Sequence, residues 1–385
     1  MVDGYDITLM AVTAGSIATE LNLAMEEVGF VFSAALAGMV IGSMSLSSLS
    51  DVIGRRKIIL TSLFILAFSV FVTGFVDSYG QLITLRFISG IAGGALLACQ
   101  ATLVSEYSLA KYKTLAVCIV TAGYPLGAMF SGILASQVID TYGWQMMFII
   151  GGIFSLLLLF LAYHFLLESQ EFIKHQGSEK TLCDKANNRS WHKVSFVSLL
   201  SKENRSTTTI LWIVFFLSFT TLYFLMSWLP KLLSIAGFSS LIGQQAFSFF
   251  NLGGVLGTLL LGVLAIHKML INLIKAFLLS AALLMCVFSY FAVDSFSINI
   301  IAFFLGLFIQ GGFVGLYALA SQSYTVQYRA TGVGWAIGLG RLGAVFGPAI
   351  AGYLVADNID LSTNFQLFSL PLLVVVFLFS CRKTS

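Results

Sequence analysis

Charge is what this chain has least of. Asp, Glu, Lys and Arg make up 10% of its 385 residues, against 58% that are hydrophobic. A soluble chain carries about 25% charged residues. With so few, a water-facing surface could not be covered by polar groups, and lipid must be the solvent. Proline is rare, with 4 residues. The five cysteines, Cys99, Cys118, Cys183, Cys286 and Cys381, form no CxxC pair and lie mostly within apolar runs; they read as inert thiols in helices. No metal-ligand cluster, nucleophile–base pattern or phosphate-binding loop occurs, which argues against an enzyme and against a bound metal or cofactor. Lys and Arg sit in short loops rather than on one basic face, which argues against nucleic-acid binding. The first residues lack the basic segment of a signal peptide and carry Asp3 and Asp6 instead.

What the chain has in abundance is long apolar runs separated by polar punctuation. Spans are expected at 1–19, 28–50, 57–76, 80–104, 114–139 and 143–167, and again at 208–236, 243–266, 269–292, 296–324, 329–356 and 362–381. The one long hydrophilic stretch, 168–207, is rich in Lys, Glu, Ser and Asn and reads as a solvated connector. An all-α membrane protein follows, with a six-helix half over 1–167, a linker over 168–207 and a second six-helix half over 208–385. Parallel six-span halves built of inverted three-helix units are the arrangement of one large transporter class.

Charge sets the expected orientation. Arg55, Arg56 and Lys57 follow span 2; Lys111 and Lys113 follow span 4. The linker holds Lys174, Lys180, Lys185, Arg189, Lys193, Lys202 and Arg205. Lys268, Arg329, Arg382 and Lys383 fall on the same side. The other side carries Glu20, Glu26, Glu27, Asp77, Asp140, Asp294, Asp357 and Asp360, with Lys231 its one clear cation. The positive-inside rule places the basic loops, the linker and the C-terminus in the cytoplasm. Span 1 begins at Met1, already contains two acids and has no basic anchor before it, so part of that span and a short tail are expected to be missing.

A charge at the centre of a bilayer costs roughly 2.5–3.5 kcal/mol and needs a reason. Asp3 and Asp6 are three residues apart and share one helical face. Two neighbouring carboxylates at low dielectric cannot both ionise cheaply, which suits a proton carrier; the alternative is a pair solvated at the inner interface. Arg341 lies twelve residues beyond Arg329, about 18 Å deeper at 1.5 Å per residue. Gly338, Gly340 and Gly343 are expected to leave room around its guanidinium, a fork suited to a carboxylate. It reads either as an anchor for an anionic substrate or as the partner of Asp3 or Asp6. Arg86, nearer the outer end of span 4, is a further substrate-side candidate or a structural donor. Gln100, Tyr124, Tyr223, Trp228, Asn251, Gln310 and Tyr317 are polar residues in apolar spans and candidates to touch substrate. The small-residue stripes Gly123–Gly127–Ser131 and Gly343–Gly347 suit close packing or a sliding surface.

At this point the motifs resemble a known family. Ser47–Lys57, through Asp51, Gly54, Arg55 and Arg56, resembles the loop signature of the major facilitator superfamily, with Ser47 in place of its first glycine. Asp3-Gly-Tyr-Asp6 is similar to the first-helix motif of its aromatic acid:proton symporter branch. Arg86-Phe-Ile-Ser-Gly90, Ser105-Glu106-Tyr107, Gly123-Tyr-Pro-Leu-Gly127 and Ser227-Trp-Leu-Pro230 resemble further segments of that branch. The longest match runs from Arg329 through Trp335 to Arg341, Gly343 and Pro348.

The resemblance implies the major facilitator fold, two six-helix halves around a central cavity. It also implies proton-coupled import of a benzoate-like or hydroxyphenyl carboxylate across a bacterial inner membrane. It assigns Asp3 and Asp6 to coupling, gives Arg329 and Arg341 functional weight, and associates the loop charges, with Glu106, with gating. Two departures stand out: Glu168-Ser-Gln-Glu171 replaces the usual ending after span 6, and Ile266 stands where the second loop motif has Asp. The expected partners are a small organic anion, protons and lipid, and the expected state is a monomer. The alternatives are a related transporter of a sugar, another organic anion or a drug, and a decayed copy that no longer transports.

Overall fold

The computed structural model describes residues 1–23, 25–169, 172–173, 199–201, 204–291, 294–357 and 359–381. The linker charges Lys174, Lys180, Lys185, Arg189, Lys193 and Lys202, together with Glu171, Cys183, Arg382 and Lys383, lie outside them.

Twelve long helices occur among the described residues, one on each expected span. They are α1 Val2–Glu20, α2 Met25–Ile53, α3 Arg55–Thr73, α4 Tyr79–Tyr107, α5 Lys113–Tyr142 and α6 Trp144–Phe165, then α7 Arg205–Ile235, α8 Ser240–Leu264, α9 Leu270–Phe291, α10 Ser295–Ser323, α11 Arg329–Ala356 and α12 Leu361–Cys381. No strand is found among the described residues. Eleven stretches are long and apolar enough to cross a membrane. α1 is not among them, because Asp3 and Asp6 lower its hydropathy. Backbone groups in hydrocarbon must be satisfied within the segment, which leaves the helix as the open-chain solution.

The helices run closer together in sequence than the hydropathy predicts. α2 and α3 are separated by Gly54 alone, and α5 and α6 by Gly143 alone. Both glycines have positive φ, 110° and 79°, a region that side chains with a Cβ avoid. All four prolines, Pro125, Pro230, Pro348 and Pro371, lie inside helices. In a soluble helix each would cost about 3 kcal/mol; in a bundle packed in lipid, neighbouring groups can take up the freed carbonyls.

The chain groups by contact into two compact units. The first holds Met1–Tyr107, Leu126–Thr208 and Ser321–Gly338; the second holds Ser108–Pro125, Thr209–Ala320 and Leu339–Ser385. In the first unit α2 packs on α4, α3 packs on α4 and α6, and α1 packs on α6. Its core includes Leu9, Ile17, Val31, Leu66, Met147 and Phe148. In the second unit α9 packs on α12. There the Phe224 and Phe368 rings stack at 3.8 Å and those of Phe288 and Phe365 at 4.6 Å.

Glycine lets helices meet backbone to backbone, and it does so twice in the same pattern. In the first unit a Cβ on Gly38 or Gly42 would strike the carbonyl of Phe87 or Ile91, and one on Gly90 or Gly94 that of Ala35 or Met39. In the second unit Gly253 and Gly257 face the carbonyls of Phe303 and Leu307, and Gly306 faces that of Phe250. A shift of 215 residues carries Gly38 onto Gly253 and Gly42 onto Gly257; a shift of 216 carries Phe87 onto Phe303 and Gly90 onto Gly306. The α2–α4 and α8–α10 seams are thus two copies of one packing solution.

A branched side chain at Gly257 has to displace backbone, which exceeds the 1–3 kcal/mol typical of core overpacking. Gly257→Val is expected to abolish the folded, monodisperse protein in detergent. Gly132→Ala, which meets nothing within 4 Å, is expected to leave the thermal midpoint unchanged. Size-exclusion chromatography and a melting scan of both variants check this.

Candidate functional site

In the first unit, two acids and one arginine are buried together. Asp3 and Asp6 occupy the first turns of α1 and are 8% and 3% exposed; Arg86 of α4 is 1% exposed. Asp6 takes a hydrogen bond from Arg86, with Nη1 2.8 Å from Oδ1. The Arg86 guanidinium also lies 5.2 Å from the centroid of the Phe148 ring on α6. Asp6 is thus held by Arg86, read from sequence only as a substrate-side candidate or a structural donor. The remaining donors of Arg86, Nε and Nη2, are buried and find no hydrogen-bond partner among the described residues. The guanidinium therefore keeps donors to spare beside Asp6.

α1 is held at both ends by α6. The Tyr5 hydroxyl, between the two acids, donates to the Met147 carbonyl at 2.8 Å. At the far end Glu20 accepts from Trp144 Nε1 at 2.8 Å and from Gln145 Nε2 at 2.6 Å. Tyr5 was not singled out from sequence, since nothing in its spacing separates it from other span aromatics.

The gating candidates form a second buried cluster. Asp51, near the end of α2, pairs with Arg55 at 2.8 Å. It also accepts from the backbone N–H groups of Ala330 and Thr331 at 3.2 and 2.7 Å and from the Thr331 hydroxyl at 2.7 Å. A carboxylate on the free N–H groups of a helix start satisfies those donors and complements the helix dipole; Asp51 does this for α11 from another helix. Arg55 donates to the Val326 carbonyl at 2.6 Å. Glu106 lies between Arg55 at 3.4 Å and Arg329 at 3.1 Å.

The third charge centre was read from sequence only as a departure from the family pattern. Glu168 accepts from the backbone N–H of Arg55 at 3.0 Å and of Arg56 at 3.2 Å, capping α3. Its carboxylate fills the space a side chain on Gly54 would need. Arg56 reaches the end of α6, donating to the carbonyls of Leu166 at 2.6 Å and Tyr163 at 2.8 Å. All six gating candidates, Asp51, Gly54, Arg55, Arg56, Glu106 and Arg329, belong to this connected set.

In the second unit, Arg341 of α11 is 1% exposed. Its Nη1 is 3.4 Å from the Tyr223 hydroxyl, and its guanidinium lies 5.8 Å from the centroid of the Phe219 ring. Phe219 meets Phe313 edge-on at 4.7 Å, and Phe313 meets Tyr317 at 5.3 Å. Arg341, Tyr223 and Tyr317 thus share one aromatic neighbourhood. The glycines expected to leave room around Arg341 are instead filled: Gly340 by the Phe219 ring, Gly343 by the Phe216 carbonyl and Gly338 by Met44. They serve close packing.

The other polar candidates lie on α4, α5, α7, α8 and α10. Trp228 gives its indole N–H to the Pro348 carbonyl at 3.0 Å. Asn251 bonds back to Phe247 of its own helix at 2.9 Å, and Gln310 lies over Gly254 and reaches the Phe250 carbonyl at 3.4 Å. Gln100 and Tyr124 are half-buried on α4 and α5.

Removing the Asp51 carboxylate should free the start of α11. Asp51→Asn is expected to raise hydrogen exchange at the Ala330 and Thr331 amides roughly five- to tenfold, the loss of a cap worth about 1 kcal/mol. Exchange mass spectrometry over 326–334 measures it; unchanged exchange would show that the cap contributes nothing.

Comparison with known proteins shows which family the chain resembles along its length. The sequence pattern of the Major Facilitator Superfamily matches residues 1–299. The chain is 29% identical over 393 aligned residues to the 4-hydroxybenzoate transporter PcaK of Acinetobacter baylyi, covering 96% of this chain and 86% of that protein. It is 30% identical over 357 residues to the 3-(3-hydroxy-phenyl)propionate transporter of Escherichia coli K12, covering 92% and 84%. Among solved structures, the proton:xylose symporter XylE bound to 6-bromo-6-deoxy-D-glucose superposes with a TM-score of 0.78 at 17% identity, over 98% of this chain and 92% of that one.

Proposed function

Because the chain belongs to the major facilitator superfamily, and so is a multi-pass membrane transporter rather than an enzyme, we propose that it imports aromatic carboxylates together with protons by alternating access. The halves 1–167 and 208–385, joined by 168–207, alternately expose the substrate site to either side. The observation that carries this reading is the buried pair Asp6–Arg86. A carboxylate bonded to an arginine in a low-dielectric setting has two ways to neutralise its charge, the arginine or a proton. Protonation of Asp6 releases Arg86, and that change in pairing is what a transport cycle can couple to. Asp3, buried one turn away, sets a second carboxyl group of the coupling site on the same face.

Arg341 supplies the counter-charge for the substrate carboxylate, with Tyr223 beside it. Phe219, Phe313 and Tyr317 offer ring edges and faces against which an aromatic substrate packs. One proton moving with one monoanion is electroneutral, so the pH gradient drives the cycle; each extra proton adds about 2.3 kcal/mol per 100 mV. Coupling requires substrate and proton to favour the same state. The Asp51–Arg55–Glu106–Arg329 cluster is the inner lock of that cycle, and it breaks whenever the cytoplasmic side opens. The likeness to bacterial transporters supports a bacterial inner-membrane placement, and the distribution of Lys and Arg supports a cytoplasmic C-terminus. We take the working unit to be a monomer in lipid.

The test is uptake of labelled benzoate, 4-hydroxybenzoate and 3-(3-hydroxyphenyl)propionate into proteoliposomes with an imposed inward proton gradient. Uptake is expected to rise as external pH falls and to collapse with a protonophore. Asp6→Asn should abolish accumulation while substrate exchange across the membrane persists. Arg341→Lys should weaken apparent affinity tenfold or more, the loss of a charge-assisted bond worth about 1.5 kcal/mol. Gradient-driven accumulation by Asp6→Asn at the wild-type level would sink the coupling assignment.

A further inference from the structure

The first turns of α1 rest in a cradle of three glycines from three different helices. Gly127 of α5 faces the Met1 carbonyl, Gly151 of α6 faces the Tyr5 ring, and Gly93 of α4 faces the Asp3 carboxylate. At each position a side chain would collide with the residue of α1 it faces. At Gly93 a Cβ would stand 2.7 Å from Asp3 Oδ1 and 3.2 Å from Met39 Cε. Real Cβ contacts are not that short, so a side chain there would have to displace the Asp3 carboxylate. With Tyr5 bonded to the Met147 carbonyl, α1 has little freedom to shift as a body.

We infer that Gly93 is a positioning residue of the proton site: its missing side chain lets Asp3 lie buried against α4, one turn from the Asp6–Arg86 pair, and its size sets the environment that Asp3 meets. The inference rests on the coupling role proposed above for Asp3. Charged or titratable groups near Asp3 include Tyr5 and Asp6 on α1 and, bonded to Asp6, Arg86 on α4. Met39 of α2, which a Cβ on Gly93 would also meet, adds no charge. Gly93 faces the carboxylate itself, so small changes there act on Asp3 before they act on Arg86.

The chemistry of the added group then decides the sign. The methyl of Gly93→Ala presses carbon against the carboxylate and favours its neutral form. Gly93→Ser occupies nearly the same volume and brings a hydroxyl that donates to the carboxylate and favours its charged form. The pH midpoint of gradient-driven uptake is expected to move up in Gly93→Ala and down in Gly93→Ser, each by about one unit. The carboxyl infrared band that disappears in Asp3→Asn should shift in both variants. A role in packing alone would move the two midpoints together or not at all, and that result overturns the inference.

Wild type and Asp3→Asn are measured alongside. Wild-type uptake without pH dependence, or identical pH profiles for wild type and Asp3→Asn, counts against the coupling reading itself. A pH-dependent wild type with parallel Ala and Ser profiles counts against Gly93 alone. Should either replacement prevent folding, Asp3→Gly is added to it: restored folding shows that the new side chain meets Asp3, and failure to restore it refutes the contact.

Discussion

Within the hydrocarbon of a membrane a carboxylate or guanidinium must find its counter-charge inside the protein. Much of the arrangement described here follows from that demand. Arg86 is buried because Asp6 and the face of Phe148 receive it. Arg55 is buried because Asp51, Glu106 and the Val326 carbonyl surround it. Such pairs add little net stability, since desolvation consumes most of the attraction, but breaking one leaves a charge exposed to apolar surroundings. That asymmetry suits a device that must exchange partners. A pair close to balance can be tipped by one proton, while both broken states remain costly enough to be brief.

The same demand is met differently in the two halves of the sequence. The register set by the glycine seams carries Asp51 onto Ile266, Arg55 onto Leu270 and Glu106 onto Gln322. The ion cluster at the ends of α2 and α4 therefore has apolar or neutral residues at the matching places around the ends of α8 and α10. The first copy caps the start of α11 with a carboxylate, and the second has none to offer at the matching place.

The sequence made the spans plain, because twenty apolar residues between charges have one reading. It also exposed charges that prove to be buried, since Asp3, Asp6, Arg86 and Arg341 stand out in apolar runs. What stayed hidden was who meets whom. Pairing depends on the rotation and approach of whole helices, so the sequence offered Arg341 as a partner for Asp3 or Asp6 and did not single out Arg86, which Asp6 meets. The glycines beside Arg341 read as space and proved to be contact surfaces, because an absent side chain marks either one. Glu168 read as a departure, yet it caps α3 through backbone groups that leave no trace in side-chain pattern. Gly54 and Gly143 each join two helices alone, a connection shorter than hydropathy can resolve.

The glycine seams also bear on how such a chain can change over generations. Where Gly42 meets the Ile91 carbonyl or Gly257 that of Leu307, no larger residue fits without separating two helices, so drift there is closed off. Phe68, Phe160 and Phe377 are exposed on the apolar surface and can be exchanged among hydrophobic residues at little cost. Descendants of this chain can thus diverge widely in composition while keeping the same helix spacing, and new specificities arise mainly through the side chains that reach past the seams.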